Sequence, residues 1–83
     1  MTFVREQEIK IEGKDVYIID VITYENEQYL YVQEIQDDEL VGDYLVYKYD
    51  SLRNAMVHIK DEKELEKLIK LFVESINKTL QSE

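Results

Sequence analysis

The last third of the chain contains an amphipathic segment that a small protein has to build its fold around. Between residues 61 and 80, apolar residues recur every three or four positions, which is the spacing of a helix with one buried stripe. At about 100° per residue they span roughly 140° of the helix circumference. These residues are Leu65, Leu68, Ile69, Phe72, Val73, Ile76 and Leu80. A stripe of this width needs a surface to cover, so the sequence predicts a helix over about residues 61–80 that packs on the rest of the fold.

The start of this helix is marked by Asp61 and Glu64. Their spacing is that of a capping box, with Asp61 in place of the usual Ser or Thr at the N-cap. Glu62 and Glu64 also lie at the positive end of the helix dipole, where negative charge is stabilising. The helix is therefore expected to begin directly after Asp61.

Everything upstream of the helix is typical of β-strand. Strands are predicted over residues 3–12, 16–24, 29–35, 43–50 and 55–59, the first of them weakly, with turns or loops between them, including a loop over residues 36–42. Consecutive strands with short connections form an antiparallel meander. The predicted fold class is α+β: four to five strands with one C-terminal helix on one face, in a single domain of 83 residues.

The segment 16–24 is β-branched or aromatic almost throughout and carries apolar residues on both sides. This favours either a central strand buried on both faces or a bulge near Asp20 that shifts the alternation. Asp20 is expected to cap that bulge by accepting hydrogen bonds from free backbone N–H groups. A catalytic carboxylate is the alternative interpretation.

One helix cannot cover both faces of such a sheet. Either the sheet curls into a partial barrel, or its second face packs against another molecule. The chain has seven tyrosines, and tyrosine is favoured both in strands and at interfaces. They are either strand residues without a further role or part of a binding or dimer face.

The charge is strongly segregated along the chain. The net charge is −9, and no Lys or Arg lies between Lys14 and Lys48. The nine acids of that interval are Asp15, Asp20, Glu25, Glu27, Glu34, Asp37, Asp38, Glu39 and Asp43. Direct binding to nucleic acid or to anionic membranes is disfavoured, because each needs a basic surface. The acids serve either solubility or the docking of a basic partner.

No motif with specific chemistry stands out. The chain has no cysteine, and its one histidine, His58, lies in a short strand. Asp37, Asp38 and Glu39 lack the spaced ligands of a calcium loop, and the two glycines do not form a phosphate-binding loop. We therefore expect that the protein is not an enzyme and that it binds neither a metal ion nor a cofactor.

Several segments follow one another in the order of a known family. They are the run from Val16 to Ile22, the turn from Tyr24 to Leu30, the acidic loop 37–39, the strand 44–47 and the capped helix start 59–65. Over about residues 9–77 the chain resembles the YrzB-like family of small acidic proteins from low-GC Gram-positive bacteria. The resemblance implies a bacterial, cytoplasmic setting and no catalytic residues.

The sequence thus predicts a non-enzymatic interaction module that presents an acidic, tyrosine-rich sheet surface to a basic protein partner or to a second copy. The candidate surface residues are Tyr29, Tyr31, Asp37, Asp38, Glu39, Tyr44, Tyr47 and Tyr49. The alternatives are a nucleic-acid mimic that inhibits a DNA- or RNA-binding protein and, more remotely, a small hydrolase. A cytoplasmic location is expected, because no apolar run approaches the roughly 20 residues of a membrane span and the N-terminus lacks a signal-peptide core.

Overall fold

The computed structural model describes the backbone of residues 3–81 and the side chains of residues 3–78. Five antiparallel strands in the order β1-β2-β3-β4-β5 form one sheet that curls into a half barrel, followed by one helix. This confirms the predicted α+β class and the curled meander. The elements are β1 (Glu8–Ile11), β2 (Lys14–Tyr24), β3 (Glu27–Gln36), β4 (Glu39–Asp50), β5 (Ala55–His58) and α1 (Glu62–Gln81).

Three of the four strand connections are two-residue hairpin turns. Each turn holds both of its residues at positive φ: Glu12 and Gly13, Glu25 and Asn26, Asp37 and Asp38. Two consecutive left-handed residues define a type I′ turn, whose twist matches that of the flanking strands. The loop predicted over residues 36–42 is therefore wrong. The turn is only Asp37-Asp38, because short acidic side chains tolerate the left-handed region, and β4 starts directly after it.

Strand β2 contains the bulge expected near Asp20. Ile18 pairs with Val32, whereas Asp20 pairs with Tyr31, so Ile19 is an extra residue without a partner on β3. The extra residue reverses the alternation of the strand. Ile18 and Val21 consequently both point to one face of the sheet. Asp20, Ile22 and Tyr24 point to the other face.

The concave inner face is filled by the protein itself. Ile18, Leu30 and Val32 have no solvent contact there, so the sheet curls over its own side chains. Phe3 of the N-terminal segment packs on this cluster, and its ring makes an edge-to-face contact with Tyr49 at 5.1 Å between ring centroids. The buried residues of this inner cluster are Phe3, Ile11, Val16, Ile18, Leu30, Val32 and Tyr47.

The convex outer face is covered by α1. Leu68 and Phe72 of the helix are buried against the sheet, together with the sheet residues Tyr29 and Val46 and with Ile59. The helix begins as predicted: the backbone N–H of Glu64 donates to Asp61 Oδ2 at 3.0 Å. Because β3 and β4 contribute residues to both clusters, these two strands hold the halves of the core together.

The buried stripe of α1 is not the one that the periodicity predicts. Ile69 and Val73 are 41% and 50% exposed, whereas Leu71, which lies outside the predicted stripe, packs on the outer cluster. A stripe spanning roughly 140° is wider than the contact that one sheet can provide, so one flank is left in solvent. The helix turns its Leu71 flank towards β2, where Lys67 Nζ lies 4.5 Å from the centre of the Tyr24 ring. The predicted stripe residue Leu80 lies outside the described side chains.

Candidate interaction surface

The predicted tyrosine surface is divided between the two faces of the sheet. Tyr29 and Tyr47 are buried, Tyr29 in the outer cluster and Tyr47 in the inner one, so both are core residues and not surface contacts. Tyr49 is half buried at the inner face, where its hydroxyl donates to Asn54 Oδ1 at 2.6 Å. Tyr47 pairs with Leu30 and therefore takes the face opposite to that of Tyr29, so the tyrosines of β3 and β4 do not form one continuous surface.

The other two predicted tyrosines lie together on the outer face. Tyr31 stacks on Phe72 of the helix, with 5.1 Å between ring centroids, and Tyr44 packs against Tyr31 at a tilt, with 5.2 Å between centroids. Tyr44 is 57% exposed. These ring contacts lead from the buried helix contact out to solvent, so Tyr44 is held by residues of the fold.

Towards the Asp37-Asp38 turn, beyond Tyr31, no described residue of β3 or β4 belongs to the outer cluster under the helix. Paired residues of an antiparallel sheet point to the same side, as do residues two positions apart on one strand. Gln33 is two positions from Tyr31 and pairs with Tyr17, and Ile35 pairs with Leu40. We call the outer-face residues Tyr17, Ile35, Leu40 and Tyr44 the open face; Leu40 and Tyr44 are exposed, and Tyr17 and Ile35 are half-buried.

Acidic side chains border the open face. Asp37 and Asp38 are exposed at the turn, Glu39 follows on β4, and Asp43 is exposed beside Tyr44. A shallow groove of about 370 Å³ crosses the edge of this face and is lined by Glu8, Ile9, Lys10, Asp15, Ile35 and Asp38. Lys10 is the one cation of this lining, and its Nζ lies 3.8 Å from Asp15 Oδ1. Because Glu8 and Asp38 also line the groove, its net charge is negative.

The exposed flank of the helix adds apolar area to the same side of the molecule. Ile69 and Val73 are one turn apart on the flank opposite Leu71. The Leu71 flank borders β2, because Leu71 and Ser75 share a groove with Ile22 and Tyr24. The other flank therefore faces the β4 side, where Tyr44 lies. The sequence does not reveal this flank, because the periodicity places both residues in a stripe that is expected to be buried.

The remaining acids of the base-free interval lie elsewhere. Asp20 is fully buried beneath the helix. Glu27 pairs with Lys48 at 2.8 Å, at the opposite end of β3 from the acidic turn, and Glu34 pairs with Lys14 at 3.5 Å. The acids are thus spread over both ends and the interior of the sheet, and several are already neutralised by a cation.

Asp20 is held by the N-terminal segment. Arg5 Nε donates to Asp20 Oδ1, and Arg5 Nη2 donates to Ser75 Oγ of the helix at 3.0 Å. The second carboxylate oxygen, Oδ2, has no hydrogen-bond partner among the described residues. The expected capping of the bulge by Asp20 is therefore wrong: this carboxylate is the anchor of an arginine that joins β2 to α1.

Burial shifts the titration of the aromatic residues. Desolvation raises the pKa of Tyr31, and the neighbouring Tyr44 adds to the increase. Burial likewise raises the pKa of Tyr47, with Glu12 and Glu34 contributing through their charge. These phenols remain neutral hydrogen-bonding groups around pH 7.

Among the described residues, no three His, Cys, Asp or Glu side chains are grouped so that they could hold a metal ion. No described helix combines the length and the apolar character that a membrane span requires. Comparison with protein families, with curated proteins and with solved structures finds no match to this chain.

Proposed function

We propose that this protein is a non-enzymatic interaction module that binds a basic protein partner through the open face and the adjoining Ile69–Val73 flank. The observation that carries the proposal is Tyr44, an exposed ring packed against Tyr31, which in turn stacks on Phe72. Exposed aromatic residues that are held in place are the usual anchors of protein interfaces. A supported ring also loses little conformational entropy on binding.

The charges around this face define the chemistry of the partner. Carboxylates border Tyr44 on the Asp43 side and at the Asp37-Asp38 turn, while the bases of the chain lie outside the interval between Lys14 and Lys48. A partner surface with Lys or Arg around an apolar centre would complement this arrangement, and its association would be accelerated at low salt. Two copies of this face would repel each other, so the occupant is a different protein.

Nucleic-acid mimicry has less support from the same geometry. A mimic needs a continuous row of carboxylates spaced like phosphates, at one charge per about 1.7 Å of duplex axis. Here Asp20 is buried, and Glu27 and Glu34 are paired with lysines. These three acids are therefore not available for such a row. Membership of the YrzB-like family and a cytoplasmic location remain predictions from the sequence, and both are compatible with an interaction module.

The proposal can be tested by capture from a lysate of the source cell with matched variants. Tyr44→Ala removes the anchor, Tyr44→Phe keeps the ring, and Leu52→Ala is a control in the distant β4–β5 turn, where Leu52 is almost entirely exposed. A true partner should be retained by the wild type, Tyr44→Phe and Leu52→Ala. With the purified partner, Tyr44→Ala should weaken binding by about 2 kcal/mol, roughly 30-fold.

Charge is tested separately by Asp37→Asn/Asp38→Asn, which should slow association and reduce its dependence on salt while leaving dissociation nearly unchanged. Each variant is first checked for an unchanged unfolding midpoint. Capture that is equal for the wild type and Tyr44→Ala, or capture of nothing beyond background, would overturn the proposal.

A further inference from the structure

Within residues 3–81, the half barrel leaves the outer edges of β1 and β5 unpaired, and the two edges differ in the charge of their side chains. β1 carries Glu8 and Lys10, both exposed, and charged side chains are a common means of blocking an edge. β5 has the sequence Ala-Met-Val-His and no charged residue. Val57 at its centre is 43% exposed. In a chain of net charge −9, an edge that is apolar and uncharged is open to strand addition.

The hydrogen-bonding pattern shows which groups this edge offers. The backbone N–H of Ile59 donates to the carbonyl of Val46 at 2.9 Å. Antiparallel pairs alternate, so Val57, opposite Lys48, also directs its N–H and C=O towards β4. Met56 and His58 direct theirs away from the sheet. Within the described residues, no other segment makes a backbone hydrogen bond to Met56 or His58.

We propose that β5 pairs antiparallel with β5 of a second copy, with Val57 on the two-fold axis. In this register Met56 of each copy faces His58 of the other, and the outward N–H and C=O groups form four hydrogen bonds. The two Val57 residues then form a non-hydrogen-bonded pair with closely spaced side chains. This interface is separate from the open face, so the inference does not rest on the proposed function.

The surroundings of β5 favour a second copy over a basic partner. The strand has no carboxylate to attract Lys or Arg. Arg53 precedes β5 and Asp61 follows it, so antiparallel pairing would place the Arg53 end of one strand on the same side as the Asp61 end of the other. A groove of about 330 Å³ separates Ala55 and Met56 from Phe3 and Ile9.

Disulfide trapping tests both the dimer and its register, because the chain has no cysteine. Val57→Cys places two thiols across the two-fold, within the short Cβ separation that a disulfide needs. Ala55→Cys is the matched control: it is also exposed and on the same strand. In the proposed register the two copies of residue 55 are four positions apart, about 14 Å, and cannot be bridged.

Under mild oxidation, Val57→Cys should form covalent dimer several-fold faster than Ala55→Cys at the same protein concentration. Equal rates would indicate random collision, and a faster Ala55→Cys would indicate another register; either result overturns the proposal. The wild type provides an independent measurement. Amide exchange at Met56 and His58 should slow as protein concentration rises, and Val57→Lys should abolish that change. Exchange that is independent of concentration would also overturn it.

Discussion

Arg5 is the counter-ion of a carboxylate that has no contact with solvent, so its removal should strongly destabilise the fold. Asp20 is 0% exposed, and Arg5 is its one hydrogen-bonding partner among the described residues. Removing one member of a buried ion pair costs about 3–5 kcal/mol, because the other charge is left without compensation. The Arg5 side chain is itself 38% exposed, so water can partly replace it, and we expect about 3 kcal/mol for Arg5→Met.

That loss is large for a chain of this size. Globular domains are stable by about 0.05–0.15 kcal/mol per residue, which gives about 4–12 kcal/mol for 83 residues. With a urea dependence of about 1–1.5 kcal/mol per molar, the unfolding midpoint of Arg5→Met should fall by about 2–3 M. Equilibrium urea unfolding followed by circular dichroism measures this shift.

Two further variants separate the ion pair from other effects of the substitution. Arg53→Met removes the chain's other arginine, which is exposed and lies 3.7 Å from Asp50, and should change stability by no more than about 0.5 kcal/mol. In an Asp20→Asn background, Arg5→Met should cost only about 1 kcal/mol, since no buried charge remains. The reasoning is refuted if Arg5→Met and Arg53→Met cost the same, or if Asp20→Asn leaves the cost of Arg5→Met unchanged.

The rotation of the helix and the burial of the aromatic rings give two further predictions. Leu68→Ala should lower the free energy of unfolding by about 3 kcal/mol, because it empties a buried site. Val73→Gln should change the free energy of unfolding by less than about 0.5 kcal/mol in the same urea titration. If Val73→Gln destabilised the protein as much as Leu68→Ala does, Val73 would have to be a core residue. Because burial raises the pKa of Tyr31, its folded form holds the proton more tightly than the unfolded chain. Stability should therefore fall as pH rises above about 10, the unfolded value, and Tyr31→Phe should make this fall less steep; an equal slope in both proteins would contradict it.

The elements with strong local signals could be predicted from the sequence. Alternation and turn residues predicted the strands, and the spacing of Asp61 and Glu64 predicted the helix start, because both depend on neighbouring residues alone. The start of β4 could not be predicted in this way. Glu39 and Gly42 are typical of loops, and only the pairing with β3 makes that segment a strand.

The site was harder to predict because it depends on contacts between distant segments. The tyrosine spacing does not show which face each ring takes, since the bulge in β2 and the curl of the sheet decide that. The partner of Asp20 is Arg5, in a segment whose sequence gives only a weak strand signal. The periodicity places Val73 within the apolar stripe of α1 and Leu71 outside it, so the sequence cannot indicate that Val73 remains in solvent while Leu71 is covered.

Ile19 gives β2 an unusual tolerance to changes in chain length. A strand with two covered faces normally has a fixed residue count, because one insertion or deletion moves every later side chain to the wrong face. Here Ile18 already points inward and Asp20 outward, with Ile19 as the residue between them that has no partner. A homologue lacking this residue would keep the same side chains in the same two clusters. Length variation at this point of β2 would be compatible with the fold, whereas the same change within Tyr29–Val32 of β3 would exchange the inner and outer clusters.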